Sequence, residues 1–233
     1  MGFPLYLAMT AAEIAACDNL PTQLAYMACH FSPYGTGLSN FPDFLPENTL
    51  LILNDRTPVC GHDPQLIASQ LQQVIDDFSC CGVLLDLQRP NNPETSAVVD
   101  AVVSAIPGKA AVSEDYARNR DCPVFLSPPP LRMPLQQYLA PWSGRDIWLE
   151  VAPDAETITI TSQGSRTTPL PLFCIPENSF VDVALHCRYQ IEMQQAFVNF
   201  HIERSGQLLQ EMLISAQELG VSRAVGLYQL LRE

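Results

Sequence analysis

The stretch Gly82-Val83-Leu84-Leu85-Asp86-Leu87-Gln88 sets a carboxylate and a carboxamide two residues apart at the end of an apolar run. Residues two apart on a strand share a face. Asp86 and Gln88 are therefore expected to project together, where they can hold a hydroxyl or amide of a ligand. Glu150 interrupts a second apolar run, Ile147-Trp148-Leu149-Glu150-Val151, and Glu114 follows KAAVS over residues 109–113. Burial at such positions shifts a carboxyl pKa toward useful values. Two acidic groups facing across a site suit glycoside hydrolysis: one protonates the leaving oxygen and the other stabilises an oxocarbenium-like centre. Asp86, Glu150 and Glu114 are thus the candidate catalytic residues.

Other polar groups stand where apolar runs end. Asp55 and Arg56 follow TLLILN, Gln88 and Arg89 follow GVLLDL, Arg188 and Tyr189 follow VDVALHC, and Tyr228 follows RAVGL. These are the expected ligand-binding residues. Asp55, Asp86 and Glu150 together offer the oxygen ligands a hard cation requires. A metal-dependent hydrolase is therefore one alternative, although the primary reading needs neither metal nor cofactor.

The elements that must position these groups are short apolar runs alternating with amphipathic ones. Strands are expected over 4–9 (PLYLAM), 49–54, 82–87, 109–113, 123–127, 147–151, 181–187, 197–202 and 223–227, and a strand or helix over 24–31. Asp63-Pro64 opens a helix, as an N-cap followed by Pro at the first helical position. Pro93-Glu94 opens another, and Gly206 to Leu219 forms a third between Ser205 as cap and Gly220 as stop. A last helical turn is expected over 228–233. Residues 147–151 and 157–161 (TITIT) alternate as a hairpin would. The loop 31–48, with Tyr34, Phe41 and Phe44, is long enough to serve as a lid.

Nearly all-apolar strands alternating with helices imply a parallel sheet covered on both faces. The expected fold is a single α/β domain over 1–233, a compact (β/α)8 TIM barrel with a small β-hairpin excursion. An open doubly wound sheet would want G-x-G-x-x-G after its first strand, and that motif is missing.

Composition narrows the partners. The net charge is −13 and the 12 basic residues are scattered without a run, which disfavours a phosphate backbone as partner. No apolar stretch reaches the roughly 18 residues of a membrane span. The eight cysteines form no C-x-x-C pair, and no basic n-region precedes the first apolar residues. Free thiols and a cytoplasmic location are the expectation. Cys60-Gly61-His62 is too sparse for zinc. Trp142 and Trp148 are candidates for stacking on a sugar face, although aromatic packing is the simpler role.

The run from Phe78 to Gln88 resembles the signature strand of chitinase-like glycoside hydrolases, the family 18-type TIM barrels. That family carries D-G-x-D-x-D-x-E on its fourth barrel strand. Gly82 and Asp86 match, Cys81 and Leu84 stand where the family has Asp, and Gln88 stands where it has the acid Glu. The layout around Leu219 to Tyr228 is similar as well, with Tyr228 nearest to the family's Trp. The resemblance implies a carbohydrate ligand at the C-terminal mouth, oriented by Asp86. A Gln amide has no proton to give at ordinary pH. Hydrolysis would then need another acid, Glu114 or Glu150, and the alternative is an inactive barrel that binds a sugar or a partner.

Overall fold

The computed structural model describes residues 4–231, so Arg232 and Glu233 of the expected last turn lie outside the described residues. In chain order the elements are β1 (Leu5–Met9), α1 (Ala11–Ala16), β2 (Leu24–Phe31), β3 (Leu38–Ser39), β4 (Leu50–Asn54), α2 (Pro64–Phe78), β5 (Gly82–Asp86), α3 (Pro93–Ala105), β6 (Ala110–Ser113), α4 (Glu114–Ala117), β7 (Val124–Leu126), α5 (Leu135–Leu139) and β8 (Ile147–Glu150). There follow β9 (Asp154–Thr161), β10 (Gly164–Pro169), β11 (Phe180–Asp182), β12 (Cys187–Met193), β13 (Phe197–Arg204), α6 (Gly206–Glu218), β14 (Val221–Leu227) and α7 (Tyr228–Leu231).

The chain, expected as one domain, separates into two compact units. The first holds residues 4–127, 144–150 and 221–231. Its parallel strands run β1, β2, β4, β5, β6, β7, β8, β14, and β14 returns to pair with β1. This is a closed α/β barrel of eight parallel strands with helices between them; β3 adds a short antiparallel pairing to β2. Between β2 and β4 the chain runs through the Gly- and Pro-rich segment 32–49 without a helix.

Period-two alternation decides what fills the ring. Tyr6, Ala8, Ala25, Leu50, Ile52, Leu84, Ala111, Phe125, Trp148 and Val225 form one buried cluster, with Met27 and Cys81 against it. Trp148 is fully buried there, so it is core and not a sugar platform; the Arg223 guanidinium lies 4.4 Å from its ring centroid. The opposite parity packs outward under the helices. On α2, Ile67, Ala68, Leu71 and Ile75 are buried, the i, i+4 spacing of one helical face. Asp63 caps that helix by accepting from the Gln65 N–H at 2.9 Å, and Asn92 caps α3 through the Thr95 N–H at 2.9 Å. Ser205 precedes α6 without a capping bond; its hydroxyl donates to Glu203.

The second unit holds residues 128–143 and 151–220. Its sheet is antiparallel, ordered β10-β9-β13-β12-β11. The excursion is thus five strands and not a hairpin. Residues 157–161 pair with β10 and β13, not with β8. Of the runs expected as barrel strands, 197–202 lies in this sheet as part of β13, and 181–187 spans the hairpin turn that joins β11 to β12. Alternation shows that a segment is extended with one covered face, but does not name its neighbour. Leu131, Cys187 and Ile202 are the buried centre of the unit, and Arg204 donates to the Pro129 and Leu185 carbonyls at 2.7 and 2.9 Å.

One glycine is held by packing. A Cβ on Gly82, which begins β5, would sit 2.4 Å from the Lys109 carbonyl oxygen. That neighbour is backbone, so it moves only with strand β6. Gly82→Ala is expected to lower the unfolding free energy by about 1–3 kcal/mol, read from urea denaturation; an unchanged midpoint would contradict the close approach.

Candidate functional site

Parity carries the ring's interior upward to its polar layer. Asn54 follows Ile52 by two, Asp86 follows Leu84 by two and Glu150 follows Trp148 by two. All three sit at the C-terminal ends of their strands, where a parallel barrel collects its functional side chains. Asn54 and Asp86 are also direct neighbours across the β4–β5 pairing. Asn54, Asp86 and Glu150 line one inner cavity of about 70 Å³, whose other walls are chiefly apolar: Ala8, Met27, Ile52, Leu84, Phe125 and Val225. Asp86 and Asn54 also border an outer cleft of about 760 Å³, with Thr10, His30, Asn40, Asp55, Arg56 and Gln88.

Burial raises the Asp86 pKa; the Gln88 amide pulls it down and the Asp55 charge pushes it up. Glu150 is raised as well, first by burial and then by the charge of Asp86. Each carboxyl therefore holds its proton more tightly than an exposed one. The Gln88 Nε2 donates to both Asp86 oxygens at 3.4 Å, long for a hydrogen bond. Glu150 has no hydrogen-bond or ionic partner among the described residues.

Asp55, expected as a ligand contact, borders the cleft but is only 5 % exposed. Its carboxylate accepts the Gln88 N–H at 3.1 Å and the Arg89 N–H at 2.8 Å. Arg89 returns its guanidinium to the Asp55 and Arg56 carbonyls at 2.9 and 3.2 Å, and the Tyr116 hydroxyl donates to the Arg89 carbonyl at 3.1 Å. Asp55 and Arg89 thus build the loop that presents Gln88. Arg56 is exposed and borders the outer cleft.

The remaining expected residues lie elsewhere. Glu114 begins α4, half-buried, and borders neither cavity. Tyr228 begins α7, its hydroxyl 4.0 Å from the Cys17 thiol, and also borders neither. Arg188 and Tyr189 are on β12 of the antiparallel sheet, not after a barrel strand. There Arg188 pairs in register with Glu203, and the Tyr189 ring stacks on Phe180 with centroids 5.5 Å apart. The run 181–187 is the end of β11, a turn over 183–186 and the first residue of β12, so Arg188 and Tyr189 continue a hairpin arm and do not follow a strand. Among the described residues no three His, Cys, Asp or Glu side chains gather as a metal would need. With the oxygens of Asp55 taken by backbone N–H groups, the Asp55–Asp86–Glu150 cage is not formed. Thr10, Met27, His30 and Asn40 border the site without having been singled out. Thr10 and His30 follow or end barrel strands, so the strand-end rule that selected Asp86 points to them too.

No family model and no curated protein matches the sequence. Solved structures do match in shape. The spore cortex-lytic enzyme SleL of Bacillus cereus aligns over 98% of this chain and 71% of its own, with TM-score 0.57 and 9% identity. SleL of Bacillus megaterium QM B1551 aligns over 98% and 70%, at 0.53 and 8%. A chitinase from Chromobacterium violaceum ATCC 12472 aligns over 98% and 95%, at 0.52 and 8%. The likeness is one of fold. It agrees with the distant chitinase-like resemblance of the β5 strand, which is the fourth of the ring.

The two raised carboxyls have a measurable consequence. The ordinary values are 3.8 for Asp86 and 4.5 for Glu150, and both folded values lie above them. The native state then binds more protons than the unfolded chain between the ordinary and the raised values. Stability falls as pH rises through that window, and the full penalty persists above it. Glu150→Gln removes one such group and relieves Asp86. The variant is expected to melt above wild type near pH 8, with the gap closing toward about pH 4. Melting curves across that range check it; a gap independent of pH would contradict the assignment.

Proposed function

We propose that the barrel binds a carbohydrate at its C-terminal mouth and lacks the acid step of the chitinase-like hydrolases it resembles. The observation that carries this is the pairing of Asp86 and Gln88. They occupy the positions that the resemblance gives to the orienting Asp and the acid Glu, and they meet at the border of the 760 Å³ cleft. The outer cleft accommodates sugar rings. The inner cavity, at about 70 Å³, is the smaller of the two and suits a substituent of a bound sugar. Asp86 and Gln88 hydrogen-bond hydroxyl or amide groups, and Arg56 meets the outer part of the ligand. The eight unpaired thiols suit a reducing, cytoplasmic setting.

A second reading, hydrolysis, is favoured by one feature. Glu150 is half-buried, partnerless and holds its proton more tightly than an exposed carboxyl, chiefly through burial, which is the direction a general acid needs. In that reading Glu150 replaces the missing acid.

Thermal shift and calorimetry against chito-oligosaccharides and other glycans test both. Binding that Asp86→Ala reduces at least about tenfold, through loss of hydrogen bonds to a charged group, supports the mouth as the site. Gln88→Glu is expected to introduce or raise glycoside turnover, followed by reducing-end release. Turnover in wild type that Glu150→Gln abolishes would favour hydrolysis. No response to any glycan would remove the proposal and shift weight to a partner-binding barrel.

A further inference from the structure

Within the proposed carbohydrate site, on which this inference rests, the inner cavity has a chemistry of its own. It is a partly open recess inside the ring, and its walls are chiefly apolar. Two carboxylates enter it, Asp86 from β5 and Glu150 from β8, on strands that are not neighbours in the ring. No Lys, Arg or His lines it; Arg56 and His30 belong to the outer cleft.

The partnering of buried charge elsewhere in the barrel makes this recess distinctive. Asp55 receives two backbone N–H groups, and Arg223 lies against the Trp148 ring. Asp86 receives only the long bonds from Gln88, and Glu150 receives nothing among the described residues. A carboxylate held among apolar walls without a donor is costly unless a ligand supplies one. The recess is therefore short of hydrogen-bond donors and of positive charge.

We infer that the inner cavity takes a primary ammonium group, so that the ligand of this barrel is a glycan carrying free amino groups. An ammonium is compact, offers three donors and carries the missing charge, so one group can serve Asp86 and Glu150 together. An acetamido group offers one N–H and no charge, so it cannot serve both carboxylates or balance their charge. The net charge of −13 favours the same class at longer range, because an acidic protein attracts a polycation before contact.

The experiment compares glucosamine oligomers with N-acetylglucosamine oligomers of equal length, by calorimetry on the full chain at low salt and near-neutral pH. The expected result is binding of the free-amine series at least about tenfold tighter, the size of effect of a charge-assisted bond. Glu150→Gln, nearly isosteric, is expected to weaken the amine series while changing the acetylated series little. Glucosamine oligomers in which the amines are fully formylated serve as a second check, since they remove charge with little added bulk and are expected to lose the advantage. Equal or tighter binding of the acetylated series would overturn the inference and leave the carbohydrate site standing. Amine binding that Glu150→Gln leaves intact would overturn it as well, since the charge attraction would then lie outside the recess. Binding of neither series, with another glycan bound, overturns the inference alone. No glycan binding at all removes both.

Discussion

The structure depends on closure of the parallel ring. Pairing of β14 with β1 removes both free edges from the barrel sheet, and backbone groups that would otherwise face water or a stray strand find neighbours. Once the ring is closed, strand parity leaves each side chain two options, inside or outside. Tyr6, Ile52, Leu84, Phe125 and Trp148 take the inside. The parity that buries them also commits Asn54, Asp86 and Glu150 to the interior one layer higher. The polar layer is thus an unavoidable continuation of the core, and its carboxylates are desolvated because of where their strands end.

The acidic groups around the mouth then divide by what surrounds them. Asp55 and Asp86 are carboxylates at the ends of adjacent strands, yet they do different work. Asp55 turns its oxygens to the Gln88 and Arg89 amides, and a hydrogen bond to a charged group contributes about 1.5–3 kcal/mol. Its charge is spent on fixing a loop. Tyr116 and the Arg89 guanidinium close the same arrangement from two further sides. Asp86 and Glu150 have no such frame, and their proton affinity rises accordingly. Rigidity of the loop and availability of the inner carboxyls are complementary: the first holds Gln88 in place while the second keeps the recess open to a ligand.

Much of this was legible in the sequence, for identifiable reasons. The helices α2 and α3 begin where Asp63-Pro64 and Pro93-Glu94 place them, because a proline at the first helical position is a local signal that tertiary contacts seldom override. That Asp86 and Glu150 would lie at the C-terminal ends of barrel strands was legible, because each ends or interrupts an apolar run. The antiparallel unit was not. Its runs 181–187 and 197–202 alternate as barrel strands do, and nothing in a single strand says which strand pairs with it. Arg188 and Tyr189 went astray because the apolar run before them turns at 183–186, splitting 181–187 between β11 and β12. Asp55 was placed correctly at a strand end, but its two backbone partners come from a loop more than thirty residues later. Sequence spacing cannot reveal such a long-range bond. For Trp148, packing was the simpler of the two roles the sequence allowed, and strand parity in a closed ring makes it core.

The amide at position 88 has an electrostatic meaning beyond the lost proton. Asp86 already bears the cost of burial and the repulsion of Asp55, and its charge in turn raises Glu150. A carboxylate at position 88 would put another negative group beside Asp86 in a recess with no cation to offset it. Like charges so placed cannot all ionise. One proton would be shared among them, as in a hydrolase that needs a protonated acid. The Gln88 amide reverses the sign of that contact: it donates to Asp86 and favours the ionised form. The residue that removes an acid therefore also helps Asp86 stay charged. That sign is the one the proposed ammonium ligand requires, since an ionised Asp86 accepts from such a group and a protonated one does not.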